Sequence, residues 1–118
     1  MNDGMDLMQE LWNLSHQLDE ALKDLEIRSA KKAESEKQYK ILARQKALQE
    51  RNAGVPITFI SQFLAGDPEV AEKKAIRDIE EALYYTTQEK INVLKLQLRL
   101  VNDQIVREYG YGSNNSTA

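Results

Sequence analysis

From Leu7 the chain places leucine at 7, 11, 14, 18, 22 and 25, a spacing of three and four that lays one apolar stripe along a helix. Beyond Leu25 the stripe thins to Ala30, Ala33, Tyr39, Ile41, Leu42, Ala47 and Leu48 among good helix formers, until Asn52-Ala53-Gly54 supplies a stop. A first arm is therefore expected over about 6–52, roughly 70 Å long at 1.5 Å per residue. Asn2 or Asp3 can cap it, and Asp3 and Asp6 put negative charge where the helix dipole favours it.

A second start is written in Asp67-Pro68-Glu69: a capping aspartate, proline at the first helical position and a carboxylate in the first turn. Apolar positions then recur through Val70, Ala71, Ile76, Ile79, Ala82, Leu83 and Tyr84, and through Ile91, Val93, Leu94, Leu96, Leu98, Leu100, Val101, Ile105 and Val106. Tyr109-Gly110 is expected to end this arm, glycine accepting the left-handed conformation, and 111–118 to fray as a flexible tail. Both prolines, Pro56 and Pro68, fall in the short segment between the arms. The pattern predicts an all-α fold: one antiparallel two-helix hairpin domain over 1–110, coiled-coil-like, with helices at 6–52 and 68–109 and a turn at 53–67 holding a short helical segment.

Charge supports that pairing from an independent direction. Residues 1–26 carry a net −6, residues 27–52 a net +5, and the rest −2. If the arms end level at the turn, facing residue numbers sum to about 121, which lays the basic 28–51 against roughly 70–93. That stretch holds Glu72, Asp78, Glu80, Glu81 and Glu89 against Lys73, Lys74, Arg77 and Lys90, which makes it a mildly acidic partner.

Two places carry more apolar surface than a two-helix seam can bury. Met5, Met8 and Trp12 form a second stripe beside Leu7, Leu11 and Leu14. On the second arm Ile91, Leu94, Leu98, Val101 and Ile105 make the seam, while Val93, Leu96 and Leu100 lie on an adjoining face. Both surpluses sit at the terminal end, so a homo-oligomer is expected there, a dimer first, two hairpins packing as a four-helix bundle. The other surplus is the turn, where Ile57, Phe59, Ile60, Phe63 and Leu64 crowd together. They either cap the hairpin against Leu48, Val70 and Ala71 or form a tip that docks a partner.

Composition then narrows the chemistry. With no cysteine there is neither disulfide nor thiolate ligand, in keeping with a reducing cytoplasm. The first residues lack a signal peptide's pattern, and no run approaches the ~18 apolar residues of a membrane span. The sequons at Asn114 and Asn115 read as part of a polar tail. His16, the only histidine, has Asp19 and Glu20 near it at helical spacing, which makes a charged surface turn and too few ligands for a metal. Asp78, Glu80 and Glu81 make an acidic face, and no glycine loop follows a strand to cradle phosphate. No catalytic, cofactor or metal site is expected, and the chain reads as a non-enzymatic protein. Lys31, Lys32, Lys37, Lys40 and Arg44 could form a nucleic-acid-binding strip, but they have acidic neighbours and only Tyr39 interleaves for stacking.

Met5 to Leu14 (MDLMQELWNL), Gln38 to Lys46 (QYKILARQK), Gly54 to Thr58 (GVPIT) and Ile91 to Tyr109 (INVLKLQLRLVNDQIVREY) together resemble a family of small uncharacterised helical proteins of phages and prophages of Gram-positive bacteria. The resemblance spans about residues 5–109. It implies a bacterial host cytoplasm as the setting and a phage or host protein as partner. The functional expectation is a protein-binding or assembly protein; the alternatives are an accessory factor of phage replication or recombination on nucleic acid, and an inhibitor of a host protein.

Overall fold

The computed structural model describes residues 4–110. All are helical save a few at the connections, and no strand occurs among them. Three α-helices follow in order: α1 (Gly4–Asn52), α2 (Ile57–Gly66) and α3 (Pro68–Ile105), the last widening into a π turn over Val106–Gly110. The expected caps Asn2 and Asp3, the tail 111–118 and its sequons lie outside the described residues.

Local chemistry explains each boundary. At the end of α1 the Gly54 N–H donates to the Arg51 carbonyl at 3.1 Å and the Val55 N–H to the Glu50 carbonyl at 3.0 Å. This double closure requires a left-handed residue, which Gly54 supplies with φ +90°. Pro56 then blocks continuation. At the start of α3, Asp67 Oδ1 accepts from the Glu69 N–H at 2.9 Å and from the Val70 N–H at 3.1 Å, so the expected cap forms with Pro68 at the first helical position. The expected glycine stop at Tyr109-Gly110 differs in kind: Gly110 has no positive φ, and the helix reaches it through the π turn.

The chain divides into two compact units, Met1–Leu25 with Thr87–Ala118 as unit 1 and Glu26–Thr86 as unit 2. In unit 1 the seam residues withdrawn from solvent on α1 are Leu7, Leu11, Leu14, Leu18, Ala21 and Leu25, and on α3 Thr87, Ile91, Leu94, Leu98, Val101 and Ile105, with Asp24, Gln88 and Gln104 partly covered beside them. Both series alternate three and four, as helix packing requires. Leu14, Ala21, Ile91, Leu94 and Val101 form one cluster, with Leu11, Leu18, Leu25, Leu98 and Ile105 packed against it. The expected α3 seam is thus present. On α1 one member is corrected: Leu22 is 42% exposed and Ala21, 3% exposed, takes its place, because a strict four-three alternation from Leu18 lands on 21 and not 22.

Unit 2 keeps the same spacing with other chemistry. Along that spacing the covered α1 positions are Arg28, Lys32, Ser35, Tyr39, Leu42 and Lys46, with Glu36, Ala43, Ala47 and Glu50 partly covered beside them, and those on α3 are Val70, Lys73, Arg77, Glu80 and Tyr84, with Glu81 beside them. Several apolar residues assigned to this stretch from the sequence lie off the seam: Ala30, Ala33, Ile41 and Leu48 of α1, and Ala71, Ile76, Ile79, Ala82 and Leu83 of α3, are exposed. Charged and ring contacts join the two helices here. Arg28 Nη1 lies 4.0 Å from Glu80 Oε2, and Lys46 Nζ lies 3.4 Å from Asp67 and 3.7 Å from Glu69. The Arg77 guanidinium stands over the Tyr39 ring at 4.5 Å, and the Lys32 ammonium over the Tyr84 ring at 5.6 Å.

These contacts correct the expected register. A sum of about 121 would set Lys46 against residue 75 and Arg28 against residue 93, whereas they meet Asp67 and Glu80. Level arm ends were assumed, but α1 runs on to Asn52, six residues past Lys46, before the chain turns. The ten residues of α2, about 15 Å of helix, return the chain over that overhang to Asp67.

Candidate functional site

Asp67 is the most heavily engaged polar residue at the junction of α2 and α3. It receives two backbone N–H groups and the Lys46 ammonium, which hold its carboxyl below the ordinary carboxylate range, the Val70 N–H being the largest cause. The cluster has a structural purpose, fixing where α3 begins against α1. Arg77 is held above its ordinary value by its hydrogen bonds to Asp78 Oδ1, at 3.1 Å from Nε and 2.9 Å from Nη2.

In α2 no residue is buried. Ile60 and Leu64 are half-buried, and Leu64 lines a groove of about 560 Å³ with Ser61, Tyr39, Val70 and Lys74. Ile57, Phe59 and Phe63 are exposed, Phe63 by 54%. The sequence put Ile60, Phe63 and Leu64 on one face, and the structure separates them: Leu64 lines the groove and Ile60 is partly covered, whereas Phe63 is exposed, as is Phe59. Val70 is buried, but Leu48, expected beneath the cap, is half open.

The six terminal-end candidates, Met5, Met8, Trp12, Val93, Leu96 and Leu100, are all exposed, Trp12 by 70% and Leu100 by 57%. All six belong to unit 1. Leu22 joins the Met5, Met8, Trp12 line at the same spacing, a member that the sequence had assigned to the seam.

The basic strip is interrupted by acids. Lys37 lies 4.0 Å from Glu34, Lys40 lies 3.4 Å from Glu36, and Lys32 covers Tyr84. Lys31 borders a smaller groove of about 290 Å³ with Gln38, Lys73, Ile76 and Glu80. Arg44 is exposed. His16, Asp19 and Glu20 are exposed on one turn, and among the described residues no three His, Cys, Asp or Glu side chains come together as a metal would need. Among the described residues no helix is long and apolar enough to cross a membrane.

Exposed apolar side chains are therefore the most distinctive chemistry, and what they offer is contact area and not reactivity. Comparison with protein-family models, with curated proteins and with solved structures returns no match for this chain.

Proposed function

We propose that the chain is a non-enzymatic protein-binding or assembly protein built as an antiparallel helical hairpin. It associates with copies of itself through unit 1 and presents α2 to a partner of phage or host origin. The observation that carries this reading is α2, a ten-residue helix with no buried residue and with Ile57, Phe59 and Phe63 open to solvent. A cluster of that kind normally marks an interaction site, since leaving two phenylalanines half exposed forgoes about half of the ~1.5–3 kcal/mol that full burial of each would bring. The contacts of Lys46 with Asp67 and of Arg28 with Glu80 support the antiparallel course within unit 2. The resemblance to phage and prophage proteins supports a lysogenic or infected bacterial cell as the setting. Glu34 and Glu36, paired within the basic strip, favour a protein partner over nucleic acid.

Phe59→Asp with Phe63→Asp tests the reading. The variant keeps the parent melting temperature within about 2 °C and loses one defined protein captured by the parent from phage-bearing cells. A large fall in melting temperature with capture intact makes α2 a cap and overturns the proposal.

A further inference from the structure

The two exposed stripes of unit 1 do not share a face: Met8 and Trp12 lie on one flank of the seam, Val93 and Leu100 toward the other, and Leu96, two places from both Leu94 and Leu98, on the outer side of α3. Met8 and Trp12 each follow a seam residue, Leu7 and Leu11, by one place, whereas Val93 and Leu100 each precede one, Leu94 and Val101. On a helix those offsets are about 100° apart on either side, and in an antiparallel pair the followers of both helices share one flank and the predecessors the other. Unit 2 displays the rule. Ala43 and Lys74, which follow the seam residues Leu42 and Lys73, line one groove, while Lys31, Gln38 and Ile76, which precede Lys32, Tyr39 and Arg77, line the other.

A closed two-fold dimer joins one face to itself and so covers only one of the two stripes. We propose that association is instead heterologous: the Met5, Met8, Trp12 stripe of one copy seats on the Val93, Leu96, Leu100 stripe of the next. This rests on the self-association proposed above and names its geometry. Charge selects the occupant. The α1 part of unit 1, residues 4–25, carries five acids and Lys23 alone as a base, so that stripe meeting its own copy sets like charge on like. The α3 part, residues 87–110, carries Lys90, Lys95, Arg99 and Arg107 against three acids. The stripes also match in spacing: run in the same direction, 5, 8 and 12 fall on 93, 96 and 100, and Asp19 then falls on Arg107. No ion pair among the described residues engages either of those two. A joined pair keeps one free stripe of each kind, one on either copy, so the assembly grows past two chains unless it closes as a ring.

Two double variants test this. Met8→Glu with Trp12→Glu removes the first stripe, and Leu96→Glu with Leu100→Glu removes the second; all four sites are exposed, and circular dichroism verifies that helix content is kept. Glutamine in place of glutamate at the same sites gives a milder pair should either lose helicity. In light scattering at micromolar concentration the parent shows three chain masses or more, and each variant alone one. An equimolar mixture gives a one-to-one pair and nothing larger, because one intact contact remains between the two. A dimer persisting in either variant alone, or a mixture that stays monomeric while the parent associates, overturns the heterologous arrangement. A parent of one chain mass overturns self-association itself.

Discussion

Units 1 and 2 bury the same three-and-four series of helical positions with opposite chemistry. Unit 1 fills its seam with leucine, isoleucine, valine and alanine, Thr87 apart; unit 2 keeps Leu42 and Val70 but fills most of its seam with Arg28, Lys32, Ser35, Tyr39, Lys46, Lys73, Arg77, Glu80 and Tyr84. An apolar side chain needs only a neighbour to leave water, so the first kind of seam stabilises in proportion to area. Polar seam residues must also be satisfied. Ser35 Oγ donates to the Lys32 carbonyl at 3.0 Å, but Glu80 Oε2 is buried without a hydrogen bond, its nearest relief the long pair with Arg28. The contrast predicts that unit 2, specified largely by matched charges and rings, is held less strongly than unit 1.

The largest expected effect tests that division. Leu94→Ala in unit 1 opens a cavity and lowers stability by about 2–5 kcal/mol in chemical denaturation. Should Leu94→Ala cost less than 1 kcal/mol, the apolar seam is not where stability lies. Replacing Arg28 and Glu80 together by leucine lacks that cost and is neutral or a gain of about 1 kcal/mol, since the desolvation of a partly covered pair 4.0 Å apart offsets its attraction. A loss in the double variant would show the pair to be net stabilising and the contrast overstated.

Hydrogen exchange sharpens the comparison without a mutation: backbone amides of 28–46 and 70–84 should exchange before those of 11–21 and 91–101. Equal protection in both stretches would mean that the seams contribute alike.

A smaller effect falls at the α3 cap. Because the Asp67 carboxyl is held below its unfolded value, its contribution is complete above the ordinary carboxylate range and is lost as pH falls through the depressed folded value. Asp67→Ala should lower the melting temperature by a few degrees at neutral pH and narrow that gap in acid, followed by thermal scans across pH. Smallest of all, Lys37→Ala, at an exposed pair with Glu34, should stay within about 0.5 kcal/mol of the parent.

Helix boundaries were legible because their causes are local. Gly54, Pro56 and the Asp67-Pro68-Glu69 start act over four or five residues and need no knowledge of the far arm. The α3 seam from Ile91 to Ile105 was legible for a related reason, its apolar spacing being undiluted. Unit 2 was not, since a search for apolar stripes passes over a seam whose members are arginine, lysine and glutamate, and fastens on Ile76, Ile79 and Leu83, which are exposed. The missed signal was periodicity itself: continuing the alternation past Leu25 reaches 28, 32, 35, 39, 42 and 46.

By itself, then, the sequence determined where helices start and stop and that one end of the chain carries an apolar seam, because capping chemistry and a strict hydrophobic repeat are properties of neighbours along the chain. Tertiary structure alone decided the register, through the overhang of α1 that α2 returns along. It also decided which charged groups are covered and on which flank each spare apolar stripe lies. Those depend on what stands across the seam, and a side chain's exposure is set by the neighbour that packing supplies.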